Sequence, residues 1–377
     1  MNKNFLPALS VMIGYVIGVG MFSLPFLVSR AGVLSFFILL ALLGSTQYFI
    51  HLIYSNIILA TPGFHRMPGY AGEHLGKNWK HIVFVAKMIG NLGALLAYII
   101  ITGIFLNQLL GPIFGGNEFF YASLLFFIEA AVIYFGVGFL SRVELLMTTF
   151  LLLVVIMIVV KGHSSIQAEN FIMIDWRYLF LPYGAILFSL WGATLIPETE
   201  EMLREEKGSL KKIVSSSIII SAVFYLLFIV AVVFISGAHT SREAIVGLKE
   251  FLGNGVITLL LIFGLVVTFT SFVAMGLTLK KVFWYDLKIG ENLSWAIACF
   301  VPFFLFLLGL QDFIKVIGLV GSVGLGIEGI LIILMYRKLV ETKNKNREES
   351  GRLVFLIYPL IAVLLLGVVY EIIYFIR

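Results

Sequence analysis

The sequence predicts an all-α polytopic membrane protein with about eleven transmembrane helices, arranged as two inverted repeats of five helices and one additional helix at the C-terminus. Of its 377 residues, 60% are hydrophobic and only 12% are charged, whereas roughly 25% of the residues in a soluble domain are charged. Glycine and proline interrupt the first and sixth hydrophobic stretches at matching positions. Gly192 and Pro197 follow Gly20 and Pro25 at the same distance of 172 residues. We therefore expect helices one and six to be broken.

Apolar runs of about 20 residues, the length that crosses a bilayer as a helix, define the predicted spans. They cover residues 5–29, 33–60, 80–110, 119–139, 142–161, 178–200, 210–236, 254–283, 292–309, 312–336 and 353–376. An odd number of spans in each repeat turns the second repeat over relative to the first. We expect a ten-helix core at 1–336 with repeats at about 5–162 and 177–336, then a cytoplasmic linker at 337–352 and an eleventh helix at 353–377.

The distribution of lysine and arginine predicts the orientation in the membrane. If the N-terminus is cytoplasmic, the inside segments carry eighteen of the 26 Lys and Arg residues and the outside segments carry seven. Positive residues accumulate on the cytoplasmic side of membrane proteins. We therefore expect a multi-pass protein of the cell membrane, with its N-terminus in the cytoplasm and its C-terminus outside.

Several classes of function find no support in the sequence. The single cysteine, Cys299, offers neither an internal disulfide nor a thiolate metal cluster. The formal charge of +5 does not predict nucleic-acid binding, because basic residues beside spans set orientation. No nucleophile paired with a base and no phosphate-binding loop is present, so we expect neither an enzyme nor an ATP-driven pump. No cofactor is expected apart from an ion, and the oligomeric state is left open.

The two interrupted stretches predict where a ligand binds. In lipid, a broken helix is tolerated only where protein or a water-filled cavity surrounds the freed backbone groups. Two such breaks at corresponding positions of two halves indicate the central site of a secondary transporter. The alternative is that these glycines form faces that let helices pack closely.

Three segments resemble a known superfamily. GYVIGVGMF at Gly14–Phe22, followed by Pro25, resembles the unwound first helix of the amino acid-polyamine-organocation superfamily. FSLWGATLIPE at Phe188–Glu198 resembles span six of its amino acid/auxin permease branch, which includes the tryptophan/tyrosine permease group, and Thr61–Gly76 resembles the loop after span two in bacterial members. The resemblance covers residues 5–336 and implies the LeuT-type fold.

This resemblance implies a cation-coupled symporter that carries a small amino acid by alternating access. Two alternatives remain open at this stage. One is a non-transporting amino acid receptor or sensor on the same fold, and the other is an uncoupled amino acid exchanger.

The resemblance also implies how the substrate is held. Main-chain N–H groups of Gly18, Val19 and Gly20 would bind the carboxylate at the positive end of the second half-helix. Carbonyls around Phe188 and Ser189, with the Ser189 hydroxyl, would accept hydrogen bonds from the ammonium group. A glycine-rich packing face is the alternative interpretation.

Three further residues complete the predicted substrate site. Tyr98 matches a span-three aromatic residue that closes over substrate in LeuT-type proteins, and Trp191 with Phe188 would shape the pocket for the substrate side chain. Gly192 marks the second break. Each aromatic residue could equally be a structural member of the core.

A sodium site is implied at the first break. Thr270 and Ser271 match two hydroxyl positions that bind sodium in LeuT-type proteins, together with the carbonyls of Gly14 and Ile17. Hydroxyls and carbonyls are the oxygen ligands that an apolar span can offer a hard cation. The alternative is that both hydroxyls bond to their own helix. Some proton-coupled relatives place a span-five lysine near this position, and residues 143–160 contain no lysine, which favours sodium.

Two carboxylates lie deep inside predicted spans, Glu129 in span four and Glu328 in span ten. Glu328 in span ten is a candidate proton relay, since a buried carboxyl can carry protons, although a neutral carboxyl bonded to a neighbouring helix would also fit. Glu129 receives no role. His51 and Lys87 lie close to the cytoplasmic side, so we expect their side chains to extend to the membrane boundary.

Overall fold

The computed structural model describes residues 4–136, 150, 153–170, 173–203, 206–342 and 355–376, and this part of the chain is helical and has no β-strand. Seven of its helices are long and apolar enough to cross a membrane, or eight if one bent pair counts as a single span. Two shorter apolar helices lie at Leu153–Ser165 and Glu291–Leu307. The described part of the chain is thus the helical membrane protein that the composition predicts.

The helices follow the predicted hydrophobic stretches. In the first half they are α1 (Phe5–Val16), α2 (Leu24–Ala31), α3 (Val33–Ala60), α4 (Met67–Leu75), α5 (Lys77–Phe114), α6 (Glu118–Phe135) and α7 (Leu153–Ser165). In the second half they are α8 (Tyr183–Ser189), α9 (Ile196–Leu203), α10 (Leu210–Ser236), α11 (Lys249–Leu252), α12 (Asn254–Lys281), α13 (Glu291–Leu307), α14 (Phe313–Leu319), α15 (Gly326–Thr342) and α16 (Ile357–Ile376). A π-helical segment, Val320–Leu325, joins α14 to α15.

Two elements depart from the prediction by more than a shift of a few residues at a helix end. Helix α15 runs on to Thr342, where the sequence predicted a linker from residue 337. The reason is local, because Arg337 and Lys338 both pair with Glu341 on the helix surface, at 3.1 and 3.4 Å, and such pairs one turn apart support a solvated helix. Helix α4, in the loop after span two, was not predicted. The first part of predicted span five and most of the predicted linker lie outside the described residues.

The first break separates α1 from α2. Gly18 has extended backbone angles, with φ −111° and ψ −155°, and a short 3₁₀ turn over Val19–Phe22 follows it. Pro25 occupies the first turn of α2, where the N–H that proline lacks would have no helical partner in any case. The two half-helices meet at an angle of 41°. The glycine and the proline therefore act as the sequence predicted.

The second break separates α8 from α9. Helix α8 ends at Ser189, and a 3₁₀ turn over Ala193–Leu195 leads into α9. Pro197 is the second residue of α9. The two breaks therefore have the same plan, in which an extended or turned segment is followed by a 3₁₀ turn and a proline-started helix.

Glycines let α8 approach the π-helical segment closely. A Cβ atom added to Gly321 would overlap the carbonyl oxygen of Gly184, so the two backbones are in direct contact. Helix α16 packs against the same elements, since the Tyr183 hydroxyl donates to the Val363 carbonyl at 2.5 Å and the Ser322 hydroxyl donates to Glu371 at 3.4 Å. The second broken span is thereby held against the π-helical segment and α16 along its first half.

Candidate functional site

The two breaks are in direct contact. A Cβ atom added to Gly20 would overlap the hydroxyl oxygen of Ser189 and would lie 3.1 Å from Cδ1 of Phe188. Gly20 belongs to the first break and the other two residues belong to the second. The absence of a side chain at Gly20 is therefore what allows the broken spans to meet.

A small cavity of about 40 Å³ lies where the breaks meet. Six of the eight predicted substrate residues line it: Gly18, Gly20, Tyr98, Phe188, Ser189 and Trp191. Val19 is fully buried, and neither Val19 nor Gly192 lines this cavity or the larger one beside it. The structure thus brings most of the predicted set together around one space.

Two polar atoms at this cavity have no hydrogen-bond partner among the described residues. They are Oγ of Ser189 and Nε1 of Trp191, and both are buried. Buried polar groups are nearly always hydrogen-bonded, so it is unusual for two such atoms beside one cavity to lack a partner. A bound polar ligand would supply partners for both atoms.

Tyr98 reaches the first break from α5. Its hydroxyl oxygen lies 3.6 Å from the position that a Cβ atom on Gly18 would occupy, and its side chain lines both cavities. This position beside the first break fits the role that the resemblance implies for it.

A larger cavity of about 180 Å³ adjoins the small one. The two share five lining residues: Tyr15, Asn91, Tyr98, Thr194 and Met275. All four predicted sodium ligands, Gly14, Ile17, Thr270 and Ser271, line the larger cavity. The fold therefore brings two carbonyl positions of the first break and two hydroxyl positions of α12 to one space.

The hydroxyl of Thr270 also makes the bonds of a structural threonine. It donates within α12 to the carbonyls of Val266 and Val267, at 3.0 and 3.1 Å. A hydroxyl that donates in this way keeps its lone pairs, which can still accept or ligate. The geometry is thus compatible with a cation at Thr270.

Buried polar side chains of α3 support the second break. Nε2 of Gln47 donates to the Leu187 carbonyl at 3.3 Å, and Nε2 of His51 accepts from the Gly192 N–H at 2.9 Å. Nδ1 of His51 lies 2.5 Å from the Gln47 carbonyl. Because Nε2 accepts, Nδ1 carries the proton and the ring is neutral. The expectation that His51 extends to the membrane boundary is wrong, since its side chain is completely buried.

Lys87 also remains inside the protein, which contradicts the same expectation for this residue. The residue is only 7% exposed, and Nζ donates to the Thr194 hydroxyl at 3.0 Å. The same Nζ lies 4.0 Å from Oε2 of Glu328. Glu328 is fully buried and lines neither cavity. Lys87 therefore connects Glu328 to the wall that the cavities share.

The architecture and the site geometry can be compared with known proteins. The family model described as "Transmembrane amino acid transporter protein" matches residues 1–377. The chain belongs to this family. The resemblance to amino acid transporters is confirmed. A search of curated protein sequences finds no match for this transporter.

Two solved structures of transporters resemble this chain. The crystal structure of MhsT in complex with L-phenylalanine has a TM-score of 0.72 and 16% sequence identity, with 97% of this chain and 98% of that chain covered. Mhp1, a nucleobase-cation-symport-1 family transporter in a closed conformation with bromovinylhydantoin bound, has a TM-score of 0.67 and 11% identity, with 98% of this chain and 90% of that chain covered. At these identities the likeness establishes the LeuT-type fold alone.

One tyrosine bonds to both breaks of this transporter. The hydroxyl of Tyr225, on α10, lies 2.8 Å from the Val16 carbonyl and 3.0 Å from the Ser189 carbonyl. The first carbonyl belongs to the end of α1 and the second to the end of α8. A single phenol thus spans the gap between the ends of the two half-helices.

Ion pairs tie segments together at the two ends of the transporter. At one end Arg66, which precedes α4, contacts Glu198 at 3.0 Å and Glu201 at 2.7 Å on α9, and Glu198 lines the larger cavity. Past the other end of α10, Arg242 pairs with Asp312 at 2.6 Å. The 27 residues of α10, about 40 Å of helix, separate the two pairs.

Some supporting residues carried a signal in the sequence and others did not. Lys87, Asn91 and Tyr98 follow helical spacing in an apolar span, as do Gln47 and His51, and polar residues on one face of such a span indicate a polar neighbour. Tyr225 follows Ser217 and Ser221 at the same spacing in its span, but this spacing did not indicate which groups the tyrosine contacts. Its role became visible only from the three-dimensional contacts.

Proposed function

We propose that this protein is a secondary active transporter of the cell membrane that carries an amino acid by alternating access, in symport with a cation. The observation that carries the proposal is the contact between the breaks, where Gly20 meets Ser189 and Phe188. Freed backbone groups from two broken spans at one cavity are what a zwitterion needs, because its carboxylate requires N–H donors and its ammonium requires oxygen acceptors. The membership of the chain in an amino acid transporter family supports the same function.

The proposed position of the substrate follows from the directions of the half-helices. The carboxylate lies at the first break, at the N–H groups of Gly18, Val19 and Gly20, where the half-helix that follows presents its positive end. The ammonium group lies at the carbonyls of Phe188 and Ser189. The unpaired atoms at Ser189 and Trp191 complete the polar contacts.

The cavity favours an amino acid with an uncharged side chain. No charged side chain is among the described residues that line the small cavity, and Phe188, Trp191 and Met275 supply much of its surface. A charged substrate side chain would be buried there without a partner, which is costly. The bound L-phenylalanine of MhsT supports an apolar or aromatic substrate. A space of about 40 Å³ must widen to admit one, so the aromatic residues around it move on binding.

The coupling ion that we propose at the larger cavity is sodium. Its ligands would be the carbonyls of Gly14 and Ile17 and the hydroxyls of Thr270 and Ser271, which face one space. Oxygen ligands without a full negative charge suit a monovalent cation in an apolar span.

The proposed topology completes this function. We propose eleven spans with the N-terminus in the cytoplasm, two inverted repeats at about 5–162 and 177–336, and an additional last helix outside the repeats. The similar plan of the two breaks supports the repeats. The excess of Lys and Arg in the inside segments supports the orientation.

Reconstitution into liposomes tests the function directly. The probes are labelled L-alanine, L-leucine, L-phenylalanine and L-tryptophan, with L-glutamate and L-lysine as charged comparisons. We expect counterflow of at least one of the four neutral amino acids and its accumulation against a gradient when sodium is higher outside. Binding without counterflow would indicate a receptor, and counterflow without accumulation under any ion gradient would indicate an exchanger.

A further inference from the structure

Two oppositely charged residues lie inside the protein behind the wall of the two cavities. Lys87 on α5 is 7% exposed and Glu328 on α15 is 0% exposed. Their closest atoms, Nζ and Oε2, are 4.0 Å apart, which is beyond a normal hydrogen bond. Neither carboxylate oxygen of Glu328 has a hydrogen-bond partner among the described residues. The carboxyl group is therefore buried without the donors that a fixed buried carboxylate needs.

The surroundings of Glu328 leave room for its carboxyl group and little else. A Cβ atom added to Gly90 on α5 would lie 2.7 Å from Oε1 of Glu328, so this glycine makes the space that the carboxyl group occupies. A buried pair of charges that lacks good hydrogen-bond geometry does not recover its desolvation cost, which makes it a poor structural element. An ionisable residue inside a membrane span is a functional candidate by default.

Lys87 connects the carboxyl group to the second break. Its Nζ donates to the hydroxyl of Thr194 at 3.0 Å, and Thr194 lies in the 3₁₀ turn of that break and lines both cavities. An ionised Glu328 attracts the ammonium group away from Thr194, whereas a protonated Glu328 does not. The charge of Glu328 thus biases the position of a side chain that bonds to the binding site.

We propose that Glu328 is a proton-binding site coupled to the amino acid site, and that Lys87 transmits its protonation to Thr194. In the step itself, one carboxylate oxygen of Glu328 takes a proton that comes from the solvent, and the pair changes from net charge zero to plus one. When the proton returns to water, the pair is neutral again. This inference rests on the proposed function and names a second coupling ion besides sodium.

Within the described part of the chain, three other titratable side chains lie near the pair. Tyr15 on α1 and Tyr54 on α3 lie near Glu328, and Glu198 on α9 lies near Lys87. Phenols are neutral at neutral pH, which leaves Glu198 as the alternative proton carrier. Glu198 already pairs with Arg66 at 3.0 Å, and Lys87 contacts Thr194, so we assign the proton to Glu328.

The first measurement uses the purified transporter in detergent and needs no transport activity. The probe is whichever of L-alanine, L-leucine, L-phenylalanine and L-tryptophan binds most tightly. Proton and substrate raise each other's affinity by equal factors. The wild-type Kd for the probe should therefore increase by up to tenfold per pH unit at pH values above the one at which Glu328 loses its proton. Substrate binding should also take up protons from a weakly buffered solution.

Substitutions of Glu328 and Lys87 then test whether Glu328 is the residue that binds the proton. Glu328→Gln should bind the probe with a Kd that does not change with pH and should take up no proton, while Glu328→Asp should retain both effects. Lys87→Met should keep proton binding but reduce the dependence of Kd on pH to less than twofold per unit. The matched control is Glu129→Gln, which alters another buried carboxyl group on α6 and should behave as wild type. Glu198→Gln tests the alternative proton carrier and should keep the pH dependence of Kd.

Liposomes separate this inference from the proposed function. Without sodium and with an acidic exterior, wild type should accumulate the probe, and Glu328→Gln should lose accumulation but retain counterflow. A pH-independent wild-type Kd, or pH dependence that survives in Glu328→Gln, would overturn the inference and leave amino acid transport intact. Absence of counterflow in wild type would instead contradict the proposed function, and the binding measurement would still decide the proton site.

Discussion

The backbone N–H of Gly192 donates to Nε2 of His51 at 2.9 Å, across 141 residues of sequence. A break in a membrane helix leaves N–H groups without partners, and in lipid each such group costs several kcal/mol. The histidine of α3 removes that cost at the second break while its other nitrogen bonds within α3. The second break is therefore stabilised by a side chain from another helix, α3.

Replacing His51 should destabilise the transporter. In His51→Ala the Gly192 N–H loses its acceptor while it stays buried, which costs about 1–3 kcal/mol of unfolding free energy. Thermal unfolding in detergent measures the loss. Ser55→Ala is the matched control, since this buried serine bonds only one turn back to the His51 carbonyl, and it should cost less than about 1 kcal/mol. Equal effects of the two substitutions would contradict the role of His51 at the break.

Filling the contact between the breaks should abolish binding and leave the protein inserted. Gly20→Leu places a side chain where Ser189 and Phe188 lie, and Gly192→Leu does so against Val16 and Met12. Isothermal titration with the neutral amino acid probes should show no saturable binding in either variant, although both reach the membrane. Gly255→Ala, where an added Cβ meets nothing within 4 Å, should bind as wild type. Wild-type affinity in both leucine variants would rule out the broken-helix site.

Removing the two hydroxyls at the larger cavity should uncouple sodium from the substrate. In the double variant Thr270→Ala, Ser271→Ala, amino acid binding without sodium should persist, whereas sodium should no longer increase the affinity. The reason is that two ligands which favour the same state raise each other's affinity by the same factor. Substrate isotherms with and without sodium measure this effect. Thr278→Ala removes a hydroxyl from the same cavity, outside the predicted ligand set, and should keep the response. If wild-type affinity ignores sodium, the hydroxyl pair is structural.

Accessibility labelling should establish the orientation. A cysteine at position 345 should react from the cytoplasm, and one at the exposed Glu250, in the same outside segment as Arg242, should react from the exterior. Position 250 leaves the ion pair of Arg242 with Asp312 undisturbed. The native Cys299 is buried and should stay unlabelled, which provides the background. Labelling of both positions from the same side would contradict the eleven-span topology.

The sequence predicted the helices and the breaks because their causes are local. A run of apolar residues, a glycine that can adopt an extended conformation and a proline that starts a helix each act within a few residues of the chain. The same local information marked the residues of the two breaks. The resemblance to a known family, and not local sequence information, grouped them with Tyr98 and placed Thr270 and Ser271 beside Gly14.

What the sequence could not supply is the direction of side chains around each helix axis. His51 and Lys87 were expected at the membrane boundary because only their depth along the helix was considered. Both side chains point inward, and their partners Gly192 and Thr194 lie more than a hundred residues away. Glu328 lies one layer behind the cavities, since Lys87 stands between it and Thr194. Such contacts depend on packing between helices, which no local pattern contains.

The described side chains support the two breaks unequally. Gln47 and His51 bind the second break at Leu187 and Gly192, whereas the residues 172 positions later, Ile219 and Val223, are apolar and can offer no equivalent bonds to the first. The Tyr225 hydroxyl has one proton to share between the Val16 and Ser189 carbonyls. It can therefore donate fully to only one of the two half-helix ends at a time. Among the described side chains, α3 thus holds the second break by two hydrogen bonds that the matching residues of α10 do not make to the first.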